Sequence, residues 1–278
     1  METIKNVLLD EIIQNIENKI GEQLKKITVE RAVLGLFFSG VKLSTGHGGL
    51  CFTPVKDMPE AVCCPSSAKA MPLSGKLAGR PVLEYIQDVR SANPLKRALG
   101  IAALNALSTL CWEKEKPADY EIVLGEDAFD KIDVSKYKKS AVVGALVPIL
   151  KKLNQGEADY TVLEMDPKTL KGDELAHYAP ATDAHLYVPE ADLLIITGVT
   201  ILNNTLSDLL KMAKKDAEIL VIGPTASMLP DAFFSRGVTA IGGIIVTKAD
   251  ELLDIISEGG SGYHFFGKYA ERTIIKRV

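Results

Sequence analysis

The sequence predicts an α/β fold in two parts: an N-terminal α+β domain over residues 1–130, then a parallel α/β domain over residues 131–278. Three observations carry this. The 278 residues leave room for two ordinary domains at roughly 100–200 residues each. Before about residue 130 helical periodicity is mixed with short apolar runs separated by glycine turns, and from about Ser140 strands alternate with helices. Near-continuous apolar strands spaced by helices belong to a parallel sheet covered on both faces.

In the first part, Val7, Leu8, Ile12, Ile13, Ile16 and Ile20 recur at helical spacing, and Gly21 is placed to stop that helix. The run Ala32-Val33-Leu34-Gly35-Leu36-Phe37-Phe38 and the run from Leu50 to Thr53 read as strands joined by the loop Ser44-Thr45-Gly46-His47-Gly48-Gly49. Two helices follow. One spans Pro81 to Arg90; the other starts at an Asn93 cap with Pro94 in its first turn and lines one side with Leu95, Leu99, Ala102, Ala103 and Leu107.

In the second part, Ala141-Val142-Val143-Gly144 is a strand, Pro148 to Leu153 a short helix, and Tyr160 to Asp166 a second strand, which makes a βαβ unit. Further strands are expected at Ala191–Gly198, Glu218–Gly223 and Ala240–Val246. Helices fill the gaps: Thr205 to Ala213, Pro230 to Ser235 ending at Gly237, and a last one to Ser257, with Thr247 and Asp250 as a capping-box-like start and Gly259 as its stop.

Composition narrows the function. The chain is 47% hydrophobic and 24% charged, the balance of a packed globular protein. A net charge of −4 advertises no general attraction to nucleic acid or anionic membrane. The longest uncharged stretches, Ala98 to Trp112 and Leu193 to Ser207, fall short of the roughly 20 apolar residues that span a bilayer. The opening METIKNVLLDEIIQ carries Glu2, Asp10 and Glu11 and no basic segment ahead of an apolar run, so a cytoplasmic protein is expected. Cys51, Cys63, Cys64 and Cys111 suit reduced thiols better than a disulfide framework.

Ligands of open parallel sheets bind outside the carboxyl ends of the strands, which directs attention to three loops. The first strand ends at Gly144 with one glycine where a phosphate-binding turn would hold several; Glu164 or Asp166, about 20 residues on, is placed like the acid that holds a ribose. Gly144 and Asp166 are therefore the candidates for a nucleotide cofactor, against the plainer reading of a strand end with solvated acids. The third strand runs into Thr197-Gly198-Val199-Thr200, then Asn203-Asn204-Thr205, a cluster of neutral donors leading into a helix; a cap at Asn204 or Thr205 accounts for one residue of it. The fourth ends in Gly223-Pro224-Thr225, a stiff turn able to aim amides into the same crevice or to serve as a turn alone. In the first part, His47 sits in a glycine loop beside Cys51, where an imidazole can act as metal ligand or acid/base or be a plain loop histidine. Cys63-Cys64 lacks zinc-site spacing, His177, His185 and His264 are scattered, and no Gly-x-Ser-x-Gly elbow, Walker loop or His-Glu-x-x-His motif is present.

At these loops the chain resembles a bacterial and archaeal family described as "putative heavy-metal chelation" proteins. The residues that carry the resemblance are Val142-Val143-Gly144 with Pro148, Ala191-Asp192, Thr197 to Thr200, Asn203 to Thr205, Gly223 to Thr225 with Leu229-Pro230, Gly237-Val238, Gly242-Gly243 and, less sharply, Gly46 to Gly49. The resemblance implies an enolase-N-terminal-like domain ahead of a Rossmann-like domain, a ligand site in the cleft between them, and a role in handling metal ions or a metal-chelating molecule. The expected function is binding of a small polar or anionic ligand, a metal ion or metal chelate included. Thr197, Gly198, Thr200, Asn203, Asn204, Thr205, Gly223, Pro224 and Thr225 would hold it, and His47 would reach in from the first domain. A nucleotide- or S-adenosylmethionine-dependent enzyme and a non-catalytic assembly protein are the alternatives. The oligomeric state, homo-oligomer included, is left open.

Overall fold

A computed structural model describes residues 4–57, 71, 73–156 and 158–278; Cys63 and Cys64 lie outside the described residues. The chain opens with α1, Val7–Ile20, whose Asn6 cap accepts the Leu9 amide at 3.0 Å. Its buried stripe is Leu8, Leu9, Ile12, Ile13, Ile16 and Ile20, and Gly21, at φ 63°, ends it. Val7, assigned to that stripe from the sequence, faces outward, and Leu9 replaces it.

Strands β1 (Val29–Leu34), β2 (Phe38–Leu43) and β3 (Gly48–Phe52) form an antiparallel sheet in that order. The apolar run Ala32 to Phe38 is thus two strand ends and a tight turn, not one strand. The Gly35 amide donates to Phe38 O at 3.0 Å, and a Cβ on Gly35 would lie 2.3 Å from Ile256 O. Gly48 and Gly49 belong to β3 rather than to the loop before it. Bare backbone at Gly49 lets β3 rest on the next long helix, because a Cβ there would meet Ala102 O at 2.1 Å.

Helix α2 is Val82–Gln87 and α3 is Pro94–Lys114; the Asn93 side chain caps α3 by accepting the Leu95 and Lys96 amides, each at 3.0 Å. Next come β4 (Tyr120–Leu124), β5 (Ser140–Val143), α4 (Val147–Gln155), β6 (Tyr160–Glu164), β7 (Tyr178–Pro180), α5 (Ala184–Tyr187) and β8 (Leu193–Thr197). The chain ends through α6 (Val199–Leu202), α7 (Leu206–Met212), β9 (Glu218–Ile222), α8 (Asp231–Phe234), β10 (Ala240–Val246), α9 (Ala249–Ser257), α10 (Gly262–Phe265) and β11 (Ala270–Arg277).

The large sheet has eight strands in the order β4-β11-β10-β9-β8-β5-β6-β7. From β10 to β7 every pair is parallel; β11 joins β10 antiparallel and β4 joins β11 antiparallel, a correction to the expectation of a parallel sheet throughout. Numbered along the chain from β5 to β10, the six parallel strands run 3-2-1-4-5-6, the Rossmann order. β4 lies ahead of the expected boundary at residue 130 yet belongs to this sheet. The expected capping box of α9 is absent: the helix starts after Lys248 without a side-chain cap, and Asp250 reaches Arg31 and Lys42 of the small sheet instead.

The two parts share one core. A continuous buried cluster runs from Ile12 and Ile16 of α1 and Leu99 and Leu104 of α3 to Leu194 and Ile196 of β8 and Phe233 of α8. This seam fixes the small sheet over the strand ends of the large one. Among the described residues no helix is long and apolar enough to cross a membrane.

Candidate functional site

In a sheet of this order the crevice opens where β5 and β8, adjacent strands, send their connections to opposite faces. Val143 pairs with Ile196, so Gly144 and Thr197 sit side by side at that point. A cavity of about 1080 Å³ lies there, lined by the loops after β5, β6, β8 and β9 and roofed by the β1–β2 turn, the segment after β3 and Arg97 of α3. Its size matches pockets that enclose drug-sized molecules.

Gly144, Asp166, Thr197, Gly198, Thr200, Asn203, Thr205, Gly223, Pro224 and Thr225 all line this cavity. Gly144 has φ 95°, and a Cβ there would lie 2.7 Å from Thr197 Cγ2, so the two strand ends touch only because one is glycine. Gly223 has φ 128°, a conformation reserved for glycine, and a Cβ on it would meet nothing closer than Gly198 N at 3.9 Å.

Most polar groups of the loops already have partners. The Thr200 hydroxyl donates to Thr197 O at 2.7 Å, and the Asn203 side chain accepts from the Thr205 hydroxyl at 2.7 Å and the Thr205 amide at 3.2 Å. Thr225 is buried, and its Oγ1 accepts the Phe52 amide at 3.0 Å. Asn105 of α3 donates its Nδ2 to Leu50 O at 2.7 Å, Pro224 O at 3.1 Å and Thr225 O at 3.2 Å. Pro224 and Thr225 therefore join the two parts of the molecule as well as lining the cavity.

The loop after β5 departs from a phosphate-binding turn. Glu164 Oε2 accepts the Ala145 amide at 2.8 Å, while Oε1 accepts the Met165 amide at 2.8 Å and the Asp166 amide at 3.2 Å. The Gly144, Leu146 and Val147 amides are bonded to backbone carbonyls, and Pro148 has none. Amides that would meet a pyrophosphate are thus consumed, and a carboxylate stands in their place. Asp166 is committed as well: Oδ2 accepts from Lys56 Nζ at 2.7 Å, and Oδ1 accepts the Lys168 amide at 3.1 Å. Hydrogen bonding to Lys56 holds the Asp166 carboxyl below the ordinary carboxylate range, and the same bond raises Lys56.

Two sequence-predicted residues lie elsewhere. Asn204 is in the left-handed region at φ 64°, and its Nδ2 donates to Lys5 O at 3.4 Å. His47 does not reach the cavity. Its Nδ1 bonds Thr45 Oγ1 and its Nε2 bonds Glu113 Oε2, both at 2.9 Å. The reason is strand direction: the cavity meets β2 at Phe38, and His47 follows the other end of that six-residue strand, roughly 17 Å away at ~3.4 Å per residue.

Sequence reasoning missed the contributions of the first part: Leu36, Phe37, Phe38, Phe52, Lys56 and Arg97. One signal was readable, an apolar run broken by Gly35. Leu36 and Phe37 are 57% and 45% exposed at the mouth, beside Met165 at 79%. Among the described residues no group of three or more His, Cys, Asp or Glu side chains is placed to hold a metal ion. Cys51 and Cys111 are buried; burial pushes both thiols up, Cys111 to about 11.

Two family models match, over residues 17–108 and 127–275, and both are described as "putative heavy-metal chelation". An uncharacterized protein of Methanocaldococcus jannaschii is 32% identical over 196 residues, which is 69% of this chain and 70% of that protein. A DUF364-family protein of unknown function from Pyrococcus horikoshii superposes with a TM-score of 0.74 at 23% identity, covering 98% of this chain and all of that one. Another from Desulfitobacterium hafniense gives 0.67 at 19% identity, covering 97% and 99%. At these identities the superpositions speak for the fold alone.

Proposed function

As the chain belongs to the DUF364 family described as "putative heavy-metal chelation", we propose that it binds a small ligand of metal-handling chemistry, a metal ion or a metal chelate, in the cavity between its two parts. The observation that carries this reading is the convergence, at the switch point of a Rossmann-ordered sheet, of glycine-bearing strand ends from one part with an aromatic roof from the other. Neutral donors at Thr197 and Asn203 suit a polar edge of the ligand, and the apolar mouth suits its body.

The nucleotide alternative finds support in the strand order and opposition in the Glu164 carboxylate, which fills the anion position after β5. As for an assembly protein, which would expose a large apolar patch, the exposed Leu36, Phe37 and Met165 gather at the cavity mouth, where a ligand's apolar body serves them equally well.

The test is a binding screen by isothermal titration calorimetry with divalent metal salts and soluble metal chelates. The control is Val199→Trp, which places an indole in the cavity. Binding abolished by Val199→Trp supports the reading, and binding indifferent to it removes the ligand from the cavity.

A further inference from the structure

A heavy-metal ion held by protein needs several deprotonated or neutral-imidazole donors converging on one point, three or four for a borderline ion such as zinc. The described residues around the cavity do not offer them. Both Glu164 oxygens are engaged by backbone amides, and both Asp166 oxygens by Lys56 and the Lys168 amide. His47 is bound to Thr45 and Glu113 at the far end of β2. Cys51 is sealed in the core, where burial opposes the thiolate a metal requires. The donor chemistry does not fit a bare ion.

What the cavity does offer is surface for an organic body. One wall is mainly aliphatic: Val143, Leu146, Leu163, Val199 and Ile222 line it around Gly144, Gly198 and Gly223, which stand at the ends of three adjacent strands. The other carries Phe37, Phe38 and Phe52. An aliphatic wall facing an aromatic roof suits the rings of an organic molecule and rewards them by aromatic contact and apolar burial. Its volume of about 1080 Å³ also far exceeds the roughly 30 Å³ that each water of a hydrated ion occupies.

We infer that the cavity takes an aromatic organic molecule with an apolar body, and that a metal ion enters only as part of a chelate whose donor atoms that molecule supplies. The inference rests on the cavity being the ligand site. It reconciles the family's chemistry with a cavity whose own carboxylates are spent.

The test titrates three probes into the full chain: nickel chloride, 1,10-phenanthroline, and their 1:1 complex. Phenanthroline and its nickel complex are expected to bind, and Phe37→Ser, a change at a half-exposed side chain that circular dichroism will verify as folded, should weaken both at least tenfold. Nickel alone should show no binding that depends on Glu164 or Asp166. Nickel bound by the wild-type chain and lost in Glu164→Gln or Asp166→Asn would overturn the inference, since the chain would then supply donors, while the cavity would stand. Failure of phenanthroline and its complex to bind, or binding indifferent to both Phe37→Ser and Val199→Trp, would overturn the inference together with the cavity assignment.

Discussion

Glu164 Oε2 accepts the backbone amide of Ala145 at 2.8 Å, so the acid ending β6 reaches across to the loop ending β5. In a dinucleotide-binding fold that acid would hold a ribose and that amide would face a phosphate. Here they satisfy each other, and the position carries negative charge. NAD and NADP should therefore produce no shift in the thermal midpoint. A ligand at 100 times its Kd would add about 2.7 kcal/mol of apparent stability, so a cofactor that binds would be seen easily.

The contact between Gly144 and Thr197 predicts a second result. Gly144→Ala forces a side chain into φ 95° and sets its Cβ 2.7 Å from Thr197 Cγ2, and such strain costs on the order of 1–3 kcal/mol. Thr197→Ser removes Cγ2. Urea denaturation of the Gly144→Ala/Thr197→Ser pair should recover the steric share of the loss and leave the backbone share. Purely additive effects would show that the two residues do not meet.

These two loops were legible because a parallel sheet puts chemistry at its carboxyl ends, and apolar strands announce where those ends fall. What came from the other part was not. His47 and Phe37 flank the same strand at opposite ends, and nothing in their local sequence says which end meets the crevice. The strands β4, β7 and β11 escaped notice for a different reason. β7 has only three residues, and β11, AERTIIKR, mixes charges with its apolar core in the manner of a strand near a sheet edge. Strand order itself is a long-range property, set by which βαβ units turn right-handedly onto which face.

Asn105, 2% exposed, ties α3 to Leu50 O of the small sheet and to two carbonyls of the loop after β9. Asn105→Leu would take that donor from Leu50 O and Thr225 O, while Pro224 O keeps the Ser227 hydroxyl at 2.9 Å, at about 1–3 kcal/mol for a group left unsatisfied. Because the two parts share one core, the loss should appear as a shift of a single urea transition. A separate early transition would mean the parts unfold independently.

Cys111 gives a chemical readout of the same packing. With its thiol raised to about 11 by burial, the thiolate fraction at pH 8 is on the order of one in a thousand. In a Cys63→Ser/Cys64→Ser background, Cys51 and Cys111 should resist Ellman's reagent in the native state and react once urea unfolds the chain. Rapid native reaction of either thiol would contradict its burial.

Asp250 joins α9 to the small sheet by accepting from Lys42 Nζ at 2.7 Å and Arg31 Nη1 at 2.8 Å. Hydrogen bonding to Lys42 first, then to Arg31, holds its carboxyl below the ordinary range, and hydrogen bonding to Asp250 first, then to Glu30, raises Lys42 above its own. The sign for the acid is that stabilisation is complete above the unfolded value, about 3.9, and is lost as pH falls through the lower folded value. For Lys42 it is complete below about 10.4 and is lost as pH rises through the higher folded value. The melting difference between the wild-type chain and Asp250→Asn should therefore be flat from about pH 5 to 9 and close at both extremes. Both groups of the Arg31–Asp250 pair are partly solvated, so added salt should narrow the plateau difference. A difference that grows on acidification would show that Asp250 is held by something other than its cationic partners.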